Sequence, residues 1–476
     1  MVMVTGRSTL QNAVSLTAGQ IISVVAALIT NIWLARVLGP EGLGLLGFGT
    51  AIVAYLVLGA ALGSDLWGAR LIASKKYAIP IITGRIFGLR IWAFCAVAIL
   101  FFVALPFLAE DQGDRQILMV QAGGVLAIPL ALDYFYQGVQ RQFTSAARQS
   151  LQAILIMAIS LVFVRSSDDL LPAAAAQMAG AILPAAIILI IAINRYPIGW
   201  PNFSAASLVK TFSRVSPFTV SAFVNTLFFS VDILMLGILT GNSETGLYVA
   251  SSRLLLFALM PAGIIFGVAF PILAAATAEQ RRQSLNVYAL VLGLIAVAGT
   301  AVAFAMAPVI IELVYGPAFL PAVSIFGVQM VTVIVISGRM APGAGLSAWG
   351  FQKDHARSTA IAAIVNIVLN GILIPLWGAM GAAVATLISQ IALYLVFTYR
   401  LRRISGVMVV AKQFTALVCG VIAFGAVLGL GTLLSGIGYL AAGIMLSVIV
   451  TAAAARLLGL FRWPEIQALL RPPATE

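Results

Sequence analysis

Fourteen long apolar runs fill most of this chain and leave only short gaps between them. An α-helix needs roughly 20 apolar residues to cross a bilayer, and each run approaches or exceeds that length. Because 62% of the 476 residues are hydrophobic, the sequence predicts an all-α polytopic membrane protein with fourteen transmembrane helices. The runs lie at about 13–35, 43–66, 86–108, 116–138, 149–164, 173–193, 215–238, 246–272, 286–310, 322–341, 358–377, 379–398, 413–434 and 436–455.

Basic residues fall in every second gap between these spans. Of the 27 lysines and arginines, 21 lie in the N-terminal segment, the even-numbered gaps and the C-terminal tail, whereas the odd gaps hold only Arg36, Arg115 and Arg165. Positive charge is retained on the cytoplasmic side of a membrane, so both termini are predicted to be cytoplasmic. The net charge of +12 then reflects orientation and attraction to membrane lipids of the cell inner membrane, and no nucleic-acid partner is expected.

The two halves of the chain resemble each other. Residues 38–44 follow span 1 and residues 240–246 follow span 7, with glycines aligned at an offset of 202. Six spans in each half make the repeat parallel, as in transporters with two lobes around a central cavity, although duplication in a non-transporting scaffold would leave the same pattern. The predicted divisions are an N-lobe with spans 1–6 (1–198), a C-lobe with spans 7–12 (199–404), and spans 13–14 with a cytoplasmic tail (405–476).

Four groups of residues, in order along the chain, resemble the signatures of polysaccharide-type (O-antigen-type) flippases in the multidrug/oligosaccharidyl-lipid/polysaccharide exporter superfamily. They are Leu34–Gly44, Val231–Gly237 with Gly246–Arg253, Val314–Ala322, and Asn366–Pro375 with Gly378–Ala383. The resemblance implies a V-shaped pair of six-helix lobes around a central cavity. It also implies an undecaprenyl-diphosphate-linked oligosaccharide as cargo, with a polysaccharide polymerase and chain-length proteins as further partners.

Two pairs of opposite charges are predicted inside the membrane. Asp232 and Arg253 are symmetric about the turn between spans 7 and 8, and Asp65 and Arg90 are symmetric about the gap between spans 2 and 3. Antiparallel helices rise equally, by about 1.5 Å per residue, so the partners in each pair lie at similar depth. Each pair either holds neighbouring helices together or presents an arginine to the cargo diphosphate, whose oxygens the planar guanidinium binds in pairs.

Other polar residues complete the candidate cavity. Asn31, Asn366 and Asn370 are expected to hydrogen-bond either the sugar hydroxyls of the cargo or neighbouring helices. Asp133 and Arg339 end spans 4 and 10 towards the cytoplasm, where they either close an inner gate or extend to the membrane interface.

The resemblance also places Arg253 where related flippases carry a cavity cation. Residues 13–30 hold no charge, unlike the same part of lipid II flippases, and this difference argues against a peptidoglycan precursor as cargo.

Residues for catalysis are missing from the sequence. It has no Gly-x-x-x-x-Gly-Lys-Ser/Thr phosphate loop, and its one histidine, His355, lies in a predicted cytoplasmic gap. Cys95 and Cys419 are single cysteines inside spans and form no metal motif. We therefore expect no enzyme, no cofactor and no metal site, and we expect transport to draw on an ion gradient, the membrane potential or removal of product.

The predicted function is translocation of the lipid-linked oligosaccharide from the cytoplasmic to the periplasmic leaflet by alternating access. The alternative within the superfamily is a cation-coupled multidrug antiporter, which favours a cavity rich in carboxylates. Here the spans hold three arginines (Arg90, Arg253 and Arg339) against three aspartates (Asp65, Asp133 and Asp232). A membrane-embedded polysaccharide polymerase is a third class, but it needs large periplasmic loops that the short gaps do not provide.

The predicted topology can be tested by cysteine labelling in a background without Cys95 and Cys419. Asp111→Cys in the third gap should react with a membrane-impermeant thiol reagent in intact cells, whereas Lys76→Cys in the second gap should react only after permeabilisation. Labelling of Lys76→Cys alone in cells with a permeable outer membrane and an intact inner membrane would contradict the topology.

Overall fold

The computed structural model describes residues 6–407, 410–431 and 436–457, and within these ranges the chain is helical with no strand. The helices are α1 (Gly6–Ala61), α2 (Ser64–Ser74), α3 (Ile79–Leu108), α4 (Gln112–Gly123), α5 (Ala127–Leu130), α6 (Asp133–Gly138), α7 (Gln142–Phe163), α8 (Leu170–Arg195), α9 (Ala205–Leu239), α10 (Asn242–Ala275), α11 (Ala278–Ala305), α12 (Ala307–Tyr315), α13 (Ala322–Ala348), α14 (Gln352–Ser405), α15 (Val410–Leu430) and α16 (Gly436–Leu457).

Nine helical stretches in the described ranges are long and apolar enough to cross a membrane. Two of these, α1 and α14, each contain two predicted spans. Shorter apolar helices lie within α9, α15 and α16. Together they account for the fourteen predicted segments in order, so the all-α polytopic fold class is confirmed. The orientation of the termini stays a prediction.

Glycines with left-handed backbone produce the sharp bends in the two longest helices. Gly39 has φ 70° and divides α1, and Gly378 has φ 55° and divides α14. A residue with a Cβ rarely adopts these angles, so glycine allows the chain to turn back without an intervening loop. The bends lie at the predicted turns between spans 1 and 2 and between spans 11 and 12.

Two predicted spans are broken where the sequence predicted continuous helix. Span 2 stops at Leu62 and Gly63, both with positive φ, before α2 begins. Span 4 consists of α4, a 3-10 turn, α5 and α6, with an interruption at Ala131 and Leu132. Pro129 lacks the N–H that would continue the hydrogen-bond ladder, which weakens the helix just before this interruption.

The chain divides into two compact units, Met1–Gly246 and Leu247–Glu476. In the first unit, α1 packs against α7, α9 and α3. In the second, α13 packs on α14, and α11 packs on α15 and α13. The predicted lobes follow the sequence repeat rather than this packing, and their boundaries stay predictions.

The repeated turns contact each other within the first unit. A Cβ on Gly44 would overlap the carbonyl oxygen of Asn242, and a Cβ on Gly246 would overlap the carbonyl oxygen of Pro40. Pro40 and Asn242 are related by the same offset of 202 as Gly44 and Gly246, so the contact is reciprocal. The aligned glycines therefore allow the two backbones to touch.

Alanine at Gly44 should destabilise the protein, because the added carbon meets backbone atoms that cannot rotate away. Overpacking of this kind typically costs about 1–3 kcal/mol. The matched control is Gly263→Ala in α10, where no atom of the described residues lies within 4 Å of the new carbon. Thermal unfolding of the purified variants should show a lower midpoint for Gly44→Ala only; equal midpoints would refute the backbone contact.

Candidate functional site

Arg90 of α3 joins the two broken helices of the first unit. Its side chain is 1% exposed. Its Nε donates to Ser64 Oγ at 2.8 Å, and one terminal nitrogen donates to the carbonyl oxygens of Ile128 and Ala131 at 3.2 and 2.8 Å. The Ile128 carbonyl also accepts from the Ala131 N–H at 3.3 Å, whereas the Ala131 carbonyl lies beyond the end of α5, where the helical hydrogen bonds stop. Arg90 therefore supplies the hydrogen bonds that permit a helix break inside the membrane.

The remaining terminal nitrogen of Arg90 forms the ion pair with Asp65, at 2.6 Å. The guanidinium also lies 4.9 Å from the centre of the buried Tyr134 ring. The Asp65 side chain is 45% exposed, unlike that of Arg90. Of the two roles considered for this pair, the geometry favours the structural one, and contact of either residue with cargo stays a prediction.

The two gate candidates each have a partner in their own unit. Asp133 forms an ion pair with Arg148 of α7 at 2.9 Å, and Arg148 also donates to Gln152 at 3.0 Å. Arg339 of α13 donates through Nε to Gln390 of α14. The gate predicted between Asp133 and Arg339 therefore stays a prediction, and opening or closing it would exchange these observed partners.

The polar residues of α14 connect its two halves. Asn370 donates to Asn366 at 3.1 Å, and Asn366 donates to Thr386 beyond the bend at 3.4 Å. Both asparagines are buried, with 0% and 3% exposure. These hydrogen bonds join the two halves of α14, as in one of the two predicted roles, the bonding of neighbouring helices; contact with sugar hydroxyls stays a prediction. Asn31 is partly buried on α1.

Asp232 and Arg253 belong to different compact units, so the ion pair predicted between them stays a prediction. Asp232 lies on α9 and is 7% exposed. Arg253 lies on α10 with an exposed side chain, and within the described part of its unit its guanidinium forms no ion pair. Eleven residues separate it from the start of α10 at Asn242, which corresponds to about 16 Å along the helix.

Tyr315 is a functional candidate that the sequence reasoning missed. Its hydroxyl donates to the carbonyl oxygen of Ala250, one turn before Arg253, at 3.0 Å. It also lies within electrostatic range of the Arg253 guanidinium. The motif that starts at Val314 could have signalled this role, because it places a tyrosine directly before the Gly-Pro turn.

A pair of glutamine contacts was also missed. Gln121 of α4 donates to Gln177, which accepts from Thr50 of α1 as well, at 2.9 and 3.3 Å. In the second unit Gln329 of α13 donates to Ser252 of α10 at 2.9 Å. Thr50 and Ser252 are related by the offset of 202, so the repeat could have predicted a shared polar position.

Comparison with known proteins places the chain in a family. Residues 9–277, more than half of the chain, match the family described as polysaccharide biosynthesis protein, and the chain belongs to that family. A candidate O-antigen transporter of Escherichia coli (strain K12) is 21% identical over 252 residues, which are 51% of this chain and 60% of the relative. The match therefore spans less than two thirds of that relative's length.

Solved structures show the fold. A lipid II flippase MurJ in an inward closed conformation superposes with a TM-score of 0.78 at 15% identity, covering 94% of this chain and 99% of that one. An inward-facing multidrug resistance transporter of the MATE family, from the MOP superfamily, gives a TM-score of 0.64 at 14% identity, covering 83% and 98%. The chain thus has the fold shared by these multi-pass membrane proteins, as the resemblance in sequence predicted.

Replacing Arg90 with methionine should strongly destabilise the protein. The substitution removes the side-chain donor to the Ala131 carbonyl and the ion-pair partner of Asp65, and breaking a buried pair from one side typically costs about 3–5 kcal/mol. Asp65→Asn should cost less, because the amide oxygen can still accept the hydrogen bond from Arg90 and both backbone carbonyl contacts of Arg90 remain.

Arg70→Met on α2 is the matched control, since Arg70 is exposed and forms no ion pair in the described ranges. Thermal unfolding in detergent should rank the losses Arg90 first, Asp65 second and Arg70 last. Equal losses for Arg90→Met and Arg70→Met would remove Arg90 from its structural role.

Proposed function

We propose that this protein is a flippase that moves undecaprenyl-diphosphate-linked oligosaccharide units from the cytoplasmic to the periplasmic leaflet of the inner membrane. Membership of the polysaccharide biosynthesis family and the E. coli relative support the polysaccharide pathway. The fold shared with a lipid II flippase supports movement of a lipid-linked cargo. Alternating access through a central cavity is the mechanism that such a fold supports.

The observation that carries the proposal is the exposed side chain of Arg253 in the middle of an apolar helix. An unpaired arginine facing hydrocarbon is costly, by about 2.5–3.5 kcal/mol even on insertion scales. An exposed guanidinium at this depth is therefore best accommodated in a water-filled cavity. Buried Arg90 has no such need, because the protein itself supplies all its partners.

A cavity guanidinium suits a diphosphate cargo. The guanidinium is planar, keeps its charge at all physiological pH values and donates two parallel hydrogen bonds to phosphate oxygens. Tyr315 fixes the backbone of α10 one turn away, which limits how far the arginine can move. In this account Arg253 neutralises the headgroup while the lipid tail remains in the bilayer.

The competing proposal is a cation-coupled multidrug antiporter, which the structural likeness to a MATE family transporter favours. A cavity for organic cations needs an accessible carboxylate. The described structure instead buries Asp232 and gives both Asp133 and the 45% exposed Asp65 an arginine partner, while Arg253 is exposed. The family match also favours the polysaccharide cargo.

Arg253→Ala should abolish appearance of the lipid-linked oligosaccharide in the periplasmic leaflet without loss of protein from the membrane. Arg253→Lys should recover only part of the transport, because an ammonium lacks the planar fork. The assay is mass analysis of lipid-linked intermediates in each leaflet after depletion of the native protein. Arg400→Ala, which removes a partly exposed arginine at the far end of α14, is the control.

Normal transport by the alanine variant would exclude Arg253 from the mechanism. Loss of drug resistance in this variant, with unchanged lipid-linked intermediates, would favour the antiporter.

A further inference from the structure

Two exposed arginines lie at one end of the first unit with no acidic partner. Arg141 lies in the turn between α6 and α7, and Arg195 is the last residue of α8. Neither forms an ion pair with a residue that the structure describes. Both lie in gaps that the charge pattern predicts to be cytoplasmic.

Aromatic packing brings these two helix ends together. The rings of Tyr136 on α6 and Tyr196 after α8 pack edge to face, with centroids 6.4 Å apart. The Arg141 guanidinium lies 5.7 Å from the centre of the Tyr196 ring, and the Arg141 backbone N–H donates to the Tyr136 carbonyl at 2.8 Å. Arg195 directly precedes Tyr196 in sequence. The packing therefore holds both arginines near Tyr136.

The Tyr136 hydroxyl is an unused donor at this position. Tyr136 is 3% exposed, and its hydroxyl has no hydrogen-bond partner in the described structure. An unsatisfied buried polar group costs about 1–3 kcal/mol. Both arginines lie within electrostatic range of this hydroxyl. Asp133, one turn earlier on α6, is already bonded to Arg148.

We propose that Arg141, Arg195 and Tyr136 form a binding site for the phosphate group of a membrane lipid. Two guanidinium groups supply charge and paired donors, and the tyrosine hydroxyl supplies a third donor. The negative end of the α8 helix dipole explains why a basic residue occurs at one of the two positions, Arg195. It does not explain the second unpaired arginine or the unsatisfied hydroxyl, whereas a bound phosphate satisfies all three.

The depth of the site fits a lipid headgroup. Trp200 follows Arg195 by five residues and is 92% exposed. Exposed indoles are typical of the boundary between headgroups and acyl chains. A phosphate at this boundary belongs either to an anionic phospholipid or to the diphosphate of a lipid-linked cargo. Only the second source depends on the proposed function.

Lipid binding to the delipidated full-length protein, measured by native mass spectrometry, tests the site. The probes are phosphatidylglycerol, undecaprenyl diphosphate and diacylglycerol, which lacks phosphate. Arg141→Gln/Arg195→Gln should weaken binding of the two phosphate lipids by at least about tenfold, since a charged hydrogen bond contributes on that scale. Binding of diacylglycerol should not change.

Three further variants make the test specific. Tyr136→Phe keeps the ring packing and should weaken binding by roughly threefold or more. Arg141→Lys/Arg195→Lys should retain part of the binding. Arg402→Gln/Arg403→Gln removes two exposed arginines from the last turn of α14 and should leave the affinity at this site unchanged.

Competition between the two phosphate lipids identifies the source. Displacement of phosphatidylglycerol by equimolar undecaprenyl diphosphate indicates a cargo site, and equal occupancy indicates a general headgroup site; both outcomes support the phosphate site. Wild-type affinity of the Arg141→Gln/Arg195→Gln variant for both lipids would overturn it. Because binding is measured without transport, failure of the proposed flippase activity would leave this result unaffected.

Discussion

The cost of placing charge in a membrane governs the organisation of this protein. An ionised side chain in hydrocarbon must be paired, bonded to backbone, or hydrated. Arg90 is both paired and bonded to backbone, since it binds Asp65, Ser64 and two carbonyl oxygens. A helix break that lipid would not tolerate thereby becomes part of the fold. In our account Arg253 is hydrated, and its exposed side chain lies in the proposed water-filled cavity.

Close backbone approach is the second organising feature. Gly44 and Gly246 allow two repeated turns to touch reciprocally, and no side chain could be added at either glycine without displacing a carbonyl group. Small residues serve membrane helices in this way because packing, rather than hydrophobic burial, drives their association. The glutamine contacts at Thr50 and Ser252 repeat the same offset, which supports the proposal that the chain arose from two related halves.

Much of the fold was predictable because the position and length of each apolar run can be read from the local sequence alone. The fourteen segments, the turns at Gly39 and Gly378 and the proximity of Asp65 to Arg90 followed from run lengths and equal helical rise. The breaks at Gly63 and Ala131 did not, because each depends on donors that a distant helix supplies. The partners of Asp133 and Arg339 were likewise hidden, since Arg148 and Gln390 lie on neighbouring helices whose rotation the sequence does not specify.

The central claim is that Arg253 faces water inside the membrane, and thiol accessibility measures this directly. In a background without Cys95 and Cys419, cysteine is placed at position 253 and, separately, at position 250, where Ala250 is 0% exposed. The account predicts that Arg253→Cys reacts with a water-soluble, membrane-impermeant thiol reagent in reconstituted vesicles and that Ala250→Cys does not. Equal, negligible reaction at both positions in every vesicle orientation would contradict it.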